Sequence, residues 1–256
     1  MTEINYMYSD VTYIDRKNHL VIGVNHLHKI PESKIMEFIE KLNPLKGMKI
    51  ESRDFPPDVP YNCVEVLAKA AMNGKPFEYI ANEKKRDGTT LGNITKDYGL
   101  PIEVVEFHTS FIPLMVSGMK QIDSIEEMVD SMQSLFESAK KRYPDLNADR
   151  AVKNYFKIME NMIAEKIIHF LKAYLPYHGQ ILEYEIMQPD ILDFRKRING
   201  KIGIIIGNFH AEGINKMLEG QQTEKPVSWK EYKQTLPDEV LDLVESIEKL
   251  VLDYKD

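Results

Sequence analysis

The sequence predicts an α/β fold built on a mostly parallel sheet, and three observations predict it. Apolar runs of strand length recur along the chain, segments with a 3.6-residue apolar period lie between them, and Gly, Pro and Asn separate the two kinds. Residues 201–207, Lys-Ile-Gly-Ile-Ile-Ile-Gly, are the most strand-like run. Residues 19–23, His-Leu-Val-Ile-Gly, are the second. Neither run alternates apolar with polar, and a continuous apolar run suits a strand covered on both faces.

Taken in order, residues 11–15 read as a strand and Arg16-Lys17-Asn18 as a turn before the run 19–23. Pro31-Glu32-Ser33 opens a helix in which Ile35, Phe38, Ile39 and Leu42 share one face, and Asn43-Pro44 ends it. Residues 48–51 are a short strand, 62–73 a helix closed by Asn73-Gly74, and 77–81 a further strand. Residues 84–90 are a polar loop, 94–98 a short helix stopped by Gly99, and 102–107, Ile-Glu-Val-Val-Glu-Phe, a strand. Ser124-Ile125-Glu126-Glu127 is a helix start of the capping-box kind, with the helix running to about residue 142. Residues 147–175 read as one long amphipathic helix, 180–186 as a strand or extended segment, and 190–197 as a helix. After the run 201–207 come a helix over 211–218, a polar linker over 220–226, and two closing helices near Trp229 and over 237–254. The expectation is one α/β domain over residues 1–256, with a helical insertion at about 110–178 and a C-terminal helical extension at about 221–256.

Composition narrows the function. With 256 residues, 43% of them hydrophobic, the chain can bury a sizeable core without metals or disulfides. The net charge of −7 and the scattered basic residues count against nucleic acid as a partner. The single cysteine, Cys63, cannot form a disulfide within the chain, which suits a reducing compartment. The start of the chain lacks the basic and apolar regions of a signal peptide, and every apolar run is well short of the roughly 20 residues that span a bilayer. These features predict a soluble, cytoplasmic protein without a membrane partner, acting on a small-molecule or peptide ligand. The stripe Val240, Leu243, Val244, Ile247, Leu250 and Val251 on the last helix either docks on its own domain or makes a homodimer.

Two segments share one design. Ile22-Gly23-Val24-Asn25-His26 and Ile206-Gly207-Asn208-Phe209-His210 each end an apolar strand with Gly, two residues and His. In an open parallel sheet, ligands bind beyond the carboxyl ends of the strands. Gly there permits a close backbone approach, and His serves as a metal ligand or as a proton carrier near neutral pH. The competing reading is a pair of capping or hydrogen-bonded histidines at helix starts.

Glu51 ends a third strand and Arg53 follows at a spacing of two. The carboxylate suits a metal ligand or general base, and the guanidinium suits a clamp on a carboxylate or phosphate; a surface ion pair is the plain alternative. Glu106 and His108, at the same spacing on the expected strand 102–107, suit a chelate or a carboxylate that orients an imidazole. His28, His169, His19, His178 and Cys63 are weaker candidates. No dinucleotide fingerprint, phosphate loop, nucleophile elbow or His-Glu-x-x-His is present.

The two Gly-x-x-His motifs, with Ile50-Glu51-Ser52-Arg53 between them and Ile206-Gly207-Asn208-Phe209-His210-Ala211-Glu212-Gly213-Ile214 late in the chain, resemble the TraB/Tiki superfamily, which is related to ChaN-like proteins and erythromycin esterases. The order spans about residues 11–220, carried by some 15 positions. The resemblance implies an α/β fold with site residues His26, Glu51 and His210 and with Arg53 beside them. It implies metal-dependent peptide hydrolysis from the Tiki branch, His-dependent hydrolysis from the esterase branch, or haem or iron binding from the ChaN-like branch. Ile158-Met159-Glu160-Asn161-Met162-Ile163-Ala164 lacks the Arg that the long helix of TraB-like sequences carries. The resulting expectation is a metal-dependent hydrolase of peptide, ester or amide bonds. Its divalent transition metal (zinc, manganese, iron or cobalt) would be held by His26, Glu51, His108 and His210, with Glu51 and Arg53 as catalytic groups. The alternative is a non-catalytic module that binds a small ligand, haem or a peptide at the same crevice.

Overall fold

The structure, a computed structural model, describes residues 11–24, 30–51, 64–120, 124–161 and 164–253. In chain order its elements are β1 Thr12–Asp15, β2 His19–Val24, α1 Glu32–Leu42, β3 Gly47–Glu51, α2 Val64–Met72 and β4 Phe77–Ile80. Next come α3 Leu91–Asp97, α4 Ile102–Lys120, α5 Ile125–Ala139, α6 Ala148–Asn161 and α7 Ala164–Leu182. A π-helical turn at Glu183–Met187 is followed by α8 Gln188–Arg197, β5 Ile202–Gly207, α9 Asn208–Leu218, α10 Trp229–Lys233 and α11 Asp238–Asp253. Two compact units divide the chain: Met1–Asn82 with Leu182–Lys225, and Glu83–Ile181 with Pro226–Asp256. No described helix is long and apolar enough to cross a membrane.

The first unit holds a five-stranded sheet in the order β1-β2-β5-β3-β4, parallel except for the antiparallel β1–β2 pair. The most apolar run of the sequence, β5, lies at its centre and is buried along its whole length. Alternate residues serve opposite faces, as strand geometry requires. Leu20, Ile22, Val24, Met48, Ile50 and Ile205 pack with Phe38 and Leu42 of α1 and with Val64, Ala68 and Met72 of α2. Val21, Ile204 and Ile206 pack with Met187, with Ile191 and Phe194 of α8, and with Ala211, Ile214 and Met217 of α9. A sheet covered on both faces explains why β2 and β5 read as continuous apolar runs.

The second unit is helical. Ser124 caps α5 as its sequence predicts, its Oγ accepting from the Glu127 N–H at 3.1 Å. Trp229, Tyr177 and Tyr232 stack together, and the Trp229 indole N–H donates to the buried carboxylate of Glu248. Val244, Ile247 and Val251 of α11 are buried, so the core of that apolar stripe docks within its own chain. The helix α11 packs on α4 and α6.

Two expected strands are helices. Residues 102–107 open α4: Pro101 starts the helix, its carbonyl accepting from the N–H groups of Val104 and Val105. Val104, Val105 and Phe107 are all buried because α4 is flanked by α5, α6 and α11, so a short apolar run meets the same need in a helix as in a strand. Residues 180–186 are the end of α7 and most of the π-helical turn, with Tyr177 and Ile181 continuing the buried face one helical turn apart. Residues 147–175, expected as one long helix, hold α6 over Ala148–Asn161 and the first part of α7 from Ala164.

Candidate functional site

The sheet register brings the strand ends that precede the two histidines in sequence to one edge. Parallel β2 and β5 pair Gly23 with Ile206 and Val24 with Gly207, so the two strands end side by side at the same carboxyl edge. Glu51 ends β3, on the other side of β5, at that same edge. Its Oε2 accepts a hydrogen bond from the Gly207 N–H at 2.7 Å, which ties the third strand to the start of α9. His26, Arg53, His28 and Cys63 lie outside the described residues.

His210 sits in the first turn of α9 and is buried. Its Nδ1 lies 3.0 Å from Oε2 of Glu183, the first residue of the π-helical turn. Gly213, three residues beyond His210 and therefore on the same side of the helix, makes this approach possible. A Cβ at Gly213 would lie 2.0 Å from Oε1 of Glu183 and 2.8 Å from its carboxyl carbon. Gly23 has a matching role on β2, where a Cβ would lie 2.3 Å from Oδ1 of Asn208 and 3.2 Å from Cβ of Ala211. Each motif glycine or trailing glycine at these two positions marks a place where another group must come close.

Sequence reading did not include Glu183 among the site residues. It lies in a segment expected to be a strand, 27 residues before its partner, and no spacing rule joins them. A signal was present: glycine inside a helix costs about 1 kcal/mol relative to alanine, so the Gly of His210-Ala211-Glu212-Gly213 asks for a reason. A π-turn, an uncommon feature concentrated at functional sites, supplies the carboxylate.

His108 and Glu106 are not brought to this edge by any strand. Both belong to α4 in the second unit. Two residues along a helix turn a side chain through about 200°, so a spacing of two that pairs them on a strand parts them here. Glu106 instead accepts two bonds from Arg150, at 3.0 and 2.6 Å, and one from the Asn147 N–H at 3.0 Å. His108 lies among aromatic rings, 4.8 Å from Tyr174 and 5.9 Å from His178 between centroids. Burial pushes its imidazole pKa down to about 4, and its Nδ1 has no hydrogen-bond partner among the described residues. His178 bonds to the Tyr143 hydroxyl, and His169 is exposed on α7. His19, at the amino end of β2, bonds to Oδ1 of Asn215 at 3.1 Å, away from the carboxyl edge.

The described part of the site is therefore an imidazole held by one carboxylate, with a second carboxylate bonded to the backbone beside it. Among the described residues no three His, Cys, Asp or Glu side chains form a metal-binding group. A search of protein-family models, of curated proteins and of solved structures finds no match to this chain.

Proposed function

We propose that the protein hydrolyses peptide, ester or amide bonds at a site that includes His210, as the resemblance to the TraB/Tiki superfamily implies. The observation that carries this reading is the Glu183–His210 pair at the carboxyl edge of a parallel sheet, next to Glu51. A carboxylate on Nδ1 leaves Nε2 to act and stabilises the imidazole when Nε2 takes a proton, the role that such a partner plays in hydrolytic sites.

The same arrangement fits a metal-binding histidine, whose second nitrogen is ordinarily held by a carboxylate or carbonyl. His210, Glu51 and His26 are the residues proposed to hold a divalent transition metal, which when bound would acidify a water and polarise the scissile carbonyl. Glu183 keeps the imidazole ring oriented, and Gly213 keeps the space that Glu183 occupies. A second reading, a binding module of the same fold without turnover, is favoured by the missing Arg in residues 158–164.

The test measures metal content and turnover of p-nitrophenyl esters and peptide anilides for tag-free wild type, His26→Ala and His210→Ala. The expected result is near-stoichiometric metal in the wild type, absent from both variants, and a fall in turnover of ~10²-fold or more. Turnover unchanged in His210→Ala overturns the reading, and bound metal without turnover of any probe favours the binding module.

A further inference from the structure

We propose that Gln188 and Thr223 are positioning residues that hold the Glu183 carboxylate on Nδ1 of His210 and so keep the proton on that nitrogen; the inference rests on His210 belonging to the hydrolytic site. Gln188 opens α8 and is buried, only 6% exposed. Its Nε2 donates to Oε1 of Glu183 at 3.1 Å, and its Oε1 accepts from the hydroxyl of Thr223 at 2.8 Å. Thr223 lies in the polar segment after α9, partly exposed. With the His210 contact, these bonds form one chain of four side chains: Thr223, Gln188, Glu183 and His210.

Donor and acceptor chemistry fixes the direction of that chain. A carboxylate only accepts, so Gln188 must turn its amide nitrogen toward Glu183 and its oxygen toward Thr223. The amide oxygen only accepts, so Thr223 must donate its hydroxyl proton. At the other end, the same carboxylate requires a proton on Nδ1 of His210. The neutral ring is thereby held as the Nδ1–H tautomer, with the Nε2 lone pair available for a proton or a metal.

The π-helical turn builds this contact. Residues five apart on an α-helix point about 140° away from each other. Here the Gln188 N–H bonds to the Glu183 carbonyl, five residues back, and this wider turn brings the two side chains within hydrogen-bonding distance.

Long-range proton–nitrogen NMR of the labelled full chain, freed of metal with a chelator, at mildly alkaline pH reads the tautomer of each histidine, and His210→Ala identifies the signal. Wild type is expected to show the Nδ1–H form of His210. Gln188→Leu and Thr223→Val are expected to give a mixture of tautomers, with probe-ester kcat lowered by ~10-fold and KM little changed. Thr223→Ser, which keeps the hydroxyl, is expected to restore the wild-type signal, while the signals of the other histidines report that each variant is folded. A wild-type Nε2–H tautomer, or a tautomer unchanged in both Gln188→Leu and Thr223→Val, overturns the proposal. If the tautomers shift as expected while wild type turns over no probe, the chain of bonds stands and the hydrolase reading falls.

Discussion

Gly213 shows how a residue with no side chain can govern a site. Its backbone is helical, so alanine would ordinarily stabilise α9 by up to ~1 kcal/mol. The three atoms nearest the added Cβ all belong to the carboxyl end of Glu183, the movable part of that side chain. The expected outcome of Gly213→Ala is a folded protein whose thermal midpoint stays within a few degrees while turnover or metal affinity falls ~10-fold. A thermal melt and the probe-ester assay on one preparation check this. Tyr174 presents the opposite case. Its hydroxyl is buried and finds no hydrogen-bond partner among the described residues, so they do not offset the burial cost of that group. Tyr174→Phe keeps the ring in its stack between Phe170 and His178, and its unfolding midpoint in urea is expected to equal or exceed that of wild type.

At the scale of elements, β3 carries a lysine in the middle of a covered sheet. Lys49 is 2% exposed, and its ammonium pairs with Asp190 of α8 and donates to the Tyr79 carbonyl at 3.2 Å. Asp190 also accepts from the Ala81 N–H at 2.9 Å, so one carboxylate ties α8 to β3 and to the end of β4. The two partners are not equivalent. Asp190→Ala leaves a buried ammonium short of its main counter-charge and is expected to cost about 3–5 kcal/mol. Lys49→Met leaves a carboxylate that still holds the Ala81 N–H and reaches solvent, and is expected to cost clearly less. Chemical denaturation of the two variants side by side tests the asymmetry.

Across the whole molecule, acid sensitivity is expected to enter through the helical unit. His108 is held neutral by burial, with its pKa pushed from 6.5 down to about 4. The unfolded chain therefore takes up this proton below about pH 6.5, whereas the folded chain resists it until about pH 4. The contribution to stability is complete above pH 6.5 and is lost as the pH falls through that window, by about 3 kcal/mol at most. Trp229, the single tryptophan, is buried in the same unit and reports on it. Urea midpoints followed by its fluorescence are expected to drop between pH 6.5 and 4 in wild type. The drop is expected to shrink in His108→Phe, which fills the same space without a titratable group.

The sequence by itself determined most strands of the sheet and the residues that end them. The apolar runs of β2 and β5, the periodicity of α1, the cap of α5, and the placing of Glu51 at a strand end and of His210 shortly after one are all local properties, set by side-chain period and by Gly, Pro and Ser at element boundaries. Tertiary structure decided the rest. Residues 102–107 and 180–186 have apolar content that suits either strand or helix; burial by neighbouring helices selected the helix for 102–107, and 180–186 continue the helix α7 into the π-helical turn. That selection moved His108 and Glu106 into a helical unit and turned them apart. The continuation of α7 supplies the π-turn that presents Glu183 to His210. A pair separated by 27 residues has no periodic signature, because its contact is made by packing α9 beside the turn and by the space left at Gly213, and neither is a property of one segment alone.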